Sequence, residues 1–401
     1  MHQDQNETAR TLLDPPQEWA ELRQQCPVAR MTLPSGDEAQ LLTRYEDVKR
    51  VLSAPTATRM LTAPGAARLA ASEANNVYAS PVAKALDAEG HERWRRMVSK
   101  WFTAKRMQAL RPQMEATAER LIDEMVVHGQ PADLVSHLAF PLPVFVICTM
   151  LGVPESDREK FAHWTNAMFS TTKYSAAEVN AAQAEFAAYM SAHVDARRAE
   201  PGDDLISQLT LTTDAEGEPM SDAGLVATGQ ALLSAGHETT AGMIGKMVAM
   251  LLADRGRWER LLADRSLVRS AVEEVLRFDP IRGESSGMPR YLHEDVEITD
   301  RVLPRGTTVL CNTTAANRDE SAFDNADEMD LGRAPNRHMT FGAGAHSCLG
   351  QSLARTELQT VLEVLLRRLP TLDLAVDVAE LEKADGLLVG RLLELPVRWS
   401  A

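Results

Sequence analysis

One stretch, Phe341-Gly-Ala-Gly-Ala-His-Ser-Cys-Leu-Gly350, constrains this chain more than any other. It sets Cys348 in a tight, glycine-flanked loop directly before a helical pattern, Gln351-Ser-Leu-Ala-Arg-Thr-Glu-Leu-Gln-Thr-Val-Leu. A sulfur at a helix N-terminus sits at the positive end of the helix dipole, which favours its charged form. Gly344 and Gly350 carry no side chains, so backbone N–H groups can come close to that sulfur. Phe341 adds a flat apolar wall. A lone cysteine before a helix is most often a buried structural residue. The two glycines and the aromatic together are better explained by a sulfur that ligates a haem iron.

Composition sets the class. The chain has 401 residues, 44% apolar and 25% charged, which reads as globular and soluble. A net charge of −15 argues against nucleic acid as a partner. The four cysteines, Cys26, Cys148, Cys311 and Cys348, are far apart and form no C-x-x-C pair, so a zinc site is not expected. The N-terminus is polar, and the most apolar run, 138–151, contains Pro141 and Pro143 and is too short to span a bilayer. A cytoplasmic protein without a membrane anchor is expected.

Helix patterns dominate: 107–127, a long region over 157–199, an apolar stretch over 222–252, and an amphipathic pair over 257–278. Strand signals are brief, at 38–42, 296–298 and 307–311, with a tight turn at Arg305-Gly306. Residues 53–90 read as a long loop with short helical pieces. The expectation is one mainly α domain with small β-sheets over residues 1–401, with 1–14 as a flexible tail.

Within the apolar stretch lies Ala235-Gly-His-Glu-Thr-Thr240. Glycine and two threonines in mid-helix are locally unfavourable. Gly236 would let the backbone approach a ligand, and a threonine hydroxyl can bond the carbonyl one turn back. Glu238 is costly there unless solvated or paired. His237 is read as facing another helix rather than a pocket. Farther on, Glu274 and Arg277 lie three apart on one helix face.

Phe341, Gly344, Cys348 and Gly350 match every fixed position of Phe-x-x-Gly-x-x-x-Cys-x-Gly, and the chain thereby resembles the cytochromes P450. The resemblance runs from about Pro15 to the C-terminal strands. It implies the cytochrome P450 fold, mainly α with small β-sheets. It implies haem b with the Cys348 thiolate as axial ligand, flanked by Phe341, Gly342, Gly350, Ala354 and Ala235. His91, Arg95, Arg290 and His346 would meet the haem propionates. His91 and Arg95 share a helix face, Arg290 precedes a strand, and His346 lies two residues before the sulfur. Glu238 and Thr239 match the oxygen-activation motif and would relay protons to dioxygen. Glu274 and Arg277 match a buried structural pair that a meander arginine completes, with 317–319 and the loop to 336–338 as that meander.

The same resemblance implies a monooxygenase that takes two external electrons, from a ferredoxin and a ferredoxin reductase, and hydroxylates a small organic substrate. Oxidative coupling, epoxidation or desaturation remain open, as does a catalytically silent binding module of this fold. Members without an anchor are typically bacterial, and a secondary metabolite is the expected substrate. Substrate contacts are expected over 60–90, 163–192, 232–239, 281–288 and 385–392, with Asn75, Asn76, Met168, Leu232, Ala235 and Leu388 as candidates. Residues 91–111 hold seven Lys/Arg and one acid, Glu92. That run is either a dock for an acidic ferredoxin or a plain solvated face. Two features depart from the family pattern: no proline-rich lead-in precedes His91, and the polar gap between Arg277 and Arg290 is long.

Overall fold

The computed structural model describes residues 11–59, 61, 63–69, 78, 80–169, 174–281, 287–387 and 389–400. Among them the helices are α1 (Gln17–Gln25), α2 (Tyr45–Ser53), α3 (Pro81–Ala88), α4 (His91–Ser99), α5 (Ala104–His128), α6 (Pro141–Leu151) and α7 (Arg158–Phe169). Then follow α8 (Ala176–Ala199), α9 (Leu205–Leu211), α10 (Asp222–Leu252), α11 (Arg255–Ala263), α12 (Val268–Phe278), α13 (Thr313–Ala316) and α14 (Gln351–Arg368). None is long and apolar enough to cross a membrane.

Helix ends fall where cap chemistry puts them. Ser221 accepts from the Gly224 N–H and opens α10. Ser175 and Glu178 form a reciprocal capping box at the start of α8. Gly129 at φ 102° and Gly152 at φ 71° end α5 and α6.

The strands β1 (Val28–Thr32), β2 (Glu38–Leu42), β3 (Ala57–Thr58), β5 (Met288–Leu292) and β8 (Thr308–Cys311) form one sheet in the order β1-β2-β8-β5-β3. Its β2–β8 pair is parallel, with Leu42 opposite Cys311. Two smaller sheets hold β4 (Ala132–Asp133), β9 (Asp373–Leu374) and β10 (Pro396–Arg398), and β6 (Val296–Ile298) with β7 (Arg301–Leu303).

Two large apolar clusters meet along α10 and α14. One contains Met243–Leu252 of α10, Leu358–Leu366 of α14, and residues of α5, α11, α12 and the C-terminal strands. The other contains Leu225, Leu232 and Leu233 of α10, Leu353 of α14, and residues of α4 to α9. Residues 235–239 and the Cys348 loop thus both fall at the seam: Phe341 packs on the first cluster and Leu349 on the second.

Two expectations need correction. Residues 11–14 are not a loose tail: Thr11 donates to Asp14, and Leu13 is only 8% exposed within the first cluster. Residues 1–10 lie outside the described residues. Arg290 does not precede a strand but sits inside β5, opposite Val309. Among the described residues of 53–90, α3 is a short helix capped by Ser80, in keeping with a loop that holds short helical pieces.

Candidate active site

The Cys348 loop is built by hydrogen bonding and close approach. The Cys348 N–H donates to the Phe341 carbonyl at 2.7 Å, closing the loop on itself. Gly344 has φ +71°, and a Cβ there would stand 2.6 Å from the Leu52 carbonyl oxygen, so only glycine lets the loop dock on the end of α2. Gly350 is different: its φ is −82°, and a Cβ would make ordinary contact with Cys348 Sγ at 4.0 Å. Its N–H lowers the Cys348 pKa, as do Arg95 and Arg355, but burial outweighs all three and pushes the thiol up. The Gly350 N–H at the start of α14 thus favours the charged form, as expected, without by itself overcoming burial. Cys348 is nonetheless exposed. A sulfur that is surrounded by protein yet open on one side lines a recess.

The Phe341 ring is held from one face by the Arg355 guanidinium, 4.4 Å from its centroid. Arg355 is fixed by Glu273 at 2.7 and 3.0 Å, and Glu273 also meets His338 at 3.0 Å. Gly342 takes φ +70°. Ala354 sits in the first turn of α14, its N–H donating to Gly350 O at 2.9 Å.

The four cation candidates come together. The His91 and His346 rings lie 3.9 Å apart between centroids. Arg95 donates to Ser347 Oγ at 3.2 Å. Arg290 is 3% exposed and, among the described residues, bonds only its own strand at Pro289 O and leaves Nε unpartnered. Arg59, missed in the sequence, acts on His91, Arg95, Arg290 and His346 alike. Burial first, then these neighbours, push His346 down to about 3. Glu92 and Asp87 act on His91, but among the described residues no carboxylate is among the groups that perturb Arg95, Arg290 or His346. Three clustered arginines, Arg59, Arg95 and Arg290, with unpartnered donors beside them such as Arg290 Nε and the ring nitrogen His346 Nδ1, are tolerable beside an anion.

Helix α10 is sealed except at one place. Between Gly224 and Leu252, Ala235 and Thr239 alone are exposed, one turn apart on one face. Thr239 Oγ1 donates to the Ala235 carbonyl at 2.7 Å, which occupies its proton and leaves its lone pairs outward. Glu238 points elsewhere: it is 2% exposed, and Oε1 has no partner. Burial raises its pKa, and Arg391, with Nε at 3.7 Å, opposes the rise. His237 faces neighbouring secondary structure as expected, bonded to Thr165 of α7 at 3.3 Å and edge-on to Phe140 at 4.2 Å. Gly236 also serves helix packing: a Cβ would stand 3.2 Å from Ile147 of α6.

Of the substrate candidates, Met168 and Leu232 are buried members of one cluster, and Met168 Sδ lies 4.0 Å from Ser234 Oγ. Ala235 is exposed beside them. Asn75, Asn76 and Leu388 lie outside the described residues, as do 282–286 in the polar gap.

Glu274 and Arg277 are fully buried and doubly bonded, Nε to Oε2 and Nη2 to Oε1, both at 2.8 Å. The meander arginine is Arg333, whose Nε reaches Glu274 Oε2 at 3.1 Å. Asn336 adds a bond at 3.0 Å.

The cytochrome P450 family model matches residues 253–377. The chain is 42% identical over 382 residues to the mycinamicin IV hydroxylase/epoxidase of Micromonospora griseorubida, covering 95% of this chain and 94% of that protein. The chain belongs to the cytochrome P450 family. It is a P450 monooxygenase with the P450 fold, mostly helical with small sheets. The nocardicin C N-oxygenase of Nocardia uniformis subsp. tsuyamanensis is 39% identical over 386 residues, 95% of this chain and 94% of that one. The crystal structure of the LnmA P450 hydroxylase from the leinamycin biosynthetic pathway of Streptomyces atroolivaceus superposes with a TM-score of 0.89 at 38% identity, covering 100% of both chains.

The family implies haem with thiolate ligation, and the donor set fits. A recess-lining cysteine lies near a carboxylate-poor cation cluster with orphaned donors, at the seam of two apolar clusters. That suits a flat apolar ring with one axial bond and two propionates.

Proposed function

We propose that this P450 binds haem b through Cys348 Sγ and oxidises a small organic secondary metabolite, most simply by hydroxylation. Bound there, haem supplies the redox centre at which dioxygen is reduced and one oxygen atom is delivered to the substrate. His91, Arg95, Arg290 and His346 hold the propionates, with Arg59 beside them as a third arginine. Phe341, Gly342, Gly350, Ala354 and Ala235 complete the ring's walls. The observation that carries the reading is the single opening on α10 at Ala235 and Thr239. It puts an alcohol at the exposed point in the middle of a mostly buried helix, next in sequence to an acid whose pKa burial raises. Glu238 supplies the proton once its side chain turns from Arg391 toward the opening, and Thr239 Oγ1 accepts it while giving up its own hydrogen, which leaves the Ala235 carbonyl to be passed on.

The relatives named for mycinamicin, nocardicin and leinamycin chemistry support a secondary metabolite as substrate, with Met168, Leu232, Ala235 and the segments holding Asn75, Asn76 and Leu388 as its walls. We read residues 1–401 as one catalytic unit. A cytoplasmic location agrees with four free cysteines.

We assign electron delivery to a ferredoxin and its reductase. Of the basic run, Arg93 is consumed by Glu89 and Asp214, and Arg111 by Glu115 and Glu363. Arg96, Lys100, Lys105 and Arg106 are exposed and make the patch. Reversing Lys100 and Lys105 to Glu should raise the KM for an acidic ferredoxin about tenfold at low salt, with the gap closing as salt rises. A KM equal to wild type at low salt rejects this dock.

Thr239→Ala tests the relay. The variant should bind substrate as wild type does, judged by spectral titration, while product per electron pair falls by on the order of 10²-fold and peroxide accumulates. Full coupling of reductant to product in Thr239→Ala removes Thr239 from the mechanism.

A further inference from the structure

The acid of α10 is met by a cation from a distant part of the chain. Arg391 lies near the end of a C-terminal hairpin whose arms are joined at Lys383 and Leu392, with the Ala384 N–H donating to Arg391 O at 2.9 Å. This hairpin crosses α10 at Gly242. A Cβ at that position would stand 3.1 Å from Arg391 Cβ and 3.3 Å from Gly390 O, tighter than normal packing. Gly242 is one turn beyond Glu238, on the same helix face. The glycine therefore permits the close crossing, and the crossing brings the guanidinium to the carboxylate.

The pair is enclosed but not bonded. The two side chains are 18% and 2% exposed, and the 3.7 Å separation is too long for a hydrogen bond. Arg391 Nε and Glu238 Oε1 both lack a partner. Nη1 of Arg391 reaches back to Leu392 O at 3.3 Å. A small rotation of either side chain makes or breaks the contact. The other charges nearby are committed: Lys246 on α10 is paired with Asp279, and the His237 ring is held by Thr165 with its pKa pushed to about 3 by burial. Among the described residues, Arg391 is the one charged group acting on Glu238.

We propose that Arg391 is a positioning residue for the relay acid, holding the Glu238 carboxylate toward the C-terminal hairpin so that the hairpin's seating on Gly242 sets when the acid carries a proton. The assignment rests on the reading of Glu238 as the relay acid. Loss of the guanidinium leaves burial unopposed, so the carboxyl should keep its proton to higher pH. An opposite charge this close shifts a carboxyl by about 1–3 pH units.

The test follows the protonated-carboxyl stretch by infrared difference spectroscopy in the holoenzyme across pH, with Glu238→Gln as the control that identifies the band. In Arg391→Gln the band should persist about one unit or more higher in pH than in wild type, and Arg391→Lys should restore most of the shift. Gly242→Ala, which keeps both charges but lifts the hairpin by a few tenths of an ångström, should move the band in the same direction by less, and it serves if Arg391→Gln does not fold. An unshifted band in the folded Arg391→Gln or Gly242→Ala protein overturns the proposal. Failure of the underlying reading shows up separately, as wild-type coupling in Glu238→Gln.

Discussion

Cys348→Ser should fold and should lose the thiolate-type spectrum of the reduced, carbon-monoxide-treated protein, together with all measurable product formation. The loop does not depend on the sulfur for its shape. It is closed by the Cys348 N–H on Phe341 O and seated on α2 by Gly344, and serine keeps both backbone features. What serine cannot supply is a soft anionic donor. Burial holds the free Cys348 thiol up, so a metal bound at this sulfur would supply most of its charge, helped by the Gly350 N–H, Arg95 and Arg355. A hydroxyl is far less acidic, and those three aids are too weak to ionise it. Circular dichroism should therefore report native helix content while the spectrum changes type. A reduced-CO spectrum unchanged from wild type rejects Cys348 as the ligand.

What the sequence disclosed depended on how local each signal was. Helix α10 was legible to its exact ends because an apolar run capped by Ser221 needs no outside information. The cysteine loop was legible because its determinants fall within ten consecutive residues. Strand β5 was not, because Pro289 sits in it, and a proline normally argues against a strand hydrogen-bonded on both sides. The packing roles of Gly236 and Gly344 were not legible for a related reason. Each glycine answers a partner far away in the chain, Ile147 and Leu52, and a glycine carries no mark of what it accommodates. The same holds for Arg333, Arg59 and Arg391. An isolated arginine on a loop reads as a surface charge until the fold shows which carboxylate or which cation cluster it joins. Leu13 shows the limit for tails: a short apolar pair in a polar leader gave no periodicity, yet it reaches the main cluster.

Arg277→Ala should destabilise the protein by roughly 3–5 kcal/mol, the scale for removing one partner of a buried ion pair. Arg277 donates to Glu274 twice and to the carbonyls of Asn317, Ala326 and Glu328, and it has no exposed surface with which water could replace those bonds. Arg333 and Asn336 would still reach Glu274, which limits the loss. Arg277→Lys should recover only part of it, because an ammonium cannot present two parallel donors and reach three carbonyls as well. The comparison that isolates burial is Arg30→Ala, whose partner Glu38 lies 3.3 Å away with both side chains mostly exposed. That change should be barely measurable by denaturant unfolding. Geometry adds a second consequence. Arg277 and Glu274 tie α12 to the segment 317–336, which leads through Met339 and Phe341 into the cysteine loop, and Thr340 is bonded to Leu276 O at 2.7 Å. Loosening the tie should free that loop before the helical core unfolds. Arg277→Ala should therefore lose haem absorbance at a lower denaturant concentration than it loses helix signal, while wild type loses both together. Coincident transitions in the variant, at the wild-type midpoint, would mean that the pair does not hold the loop.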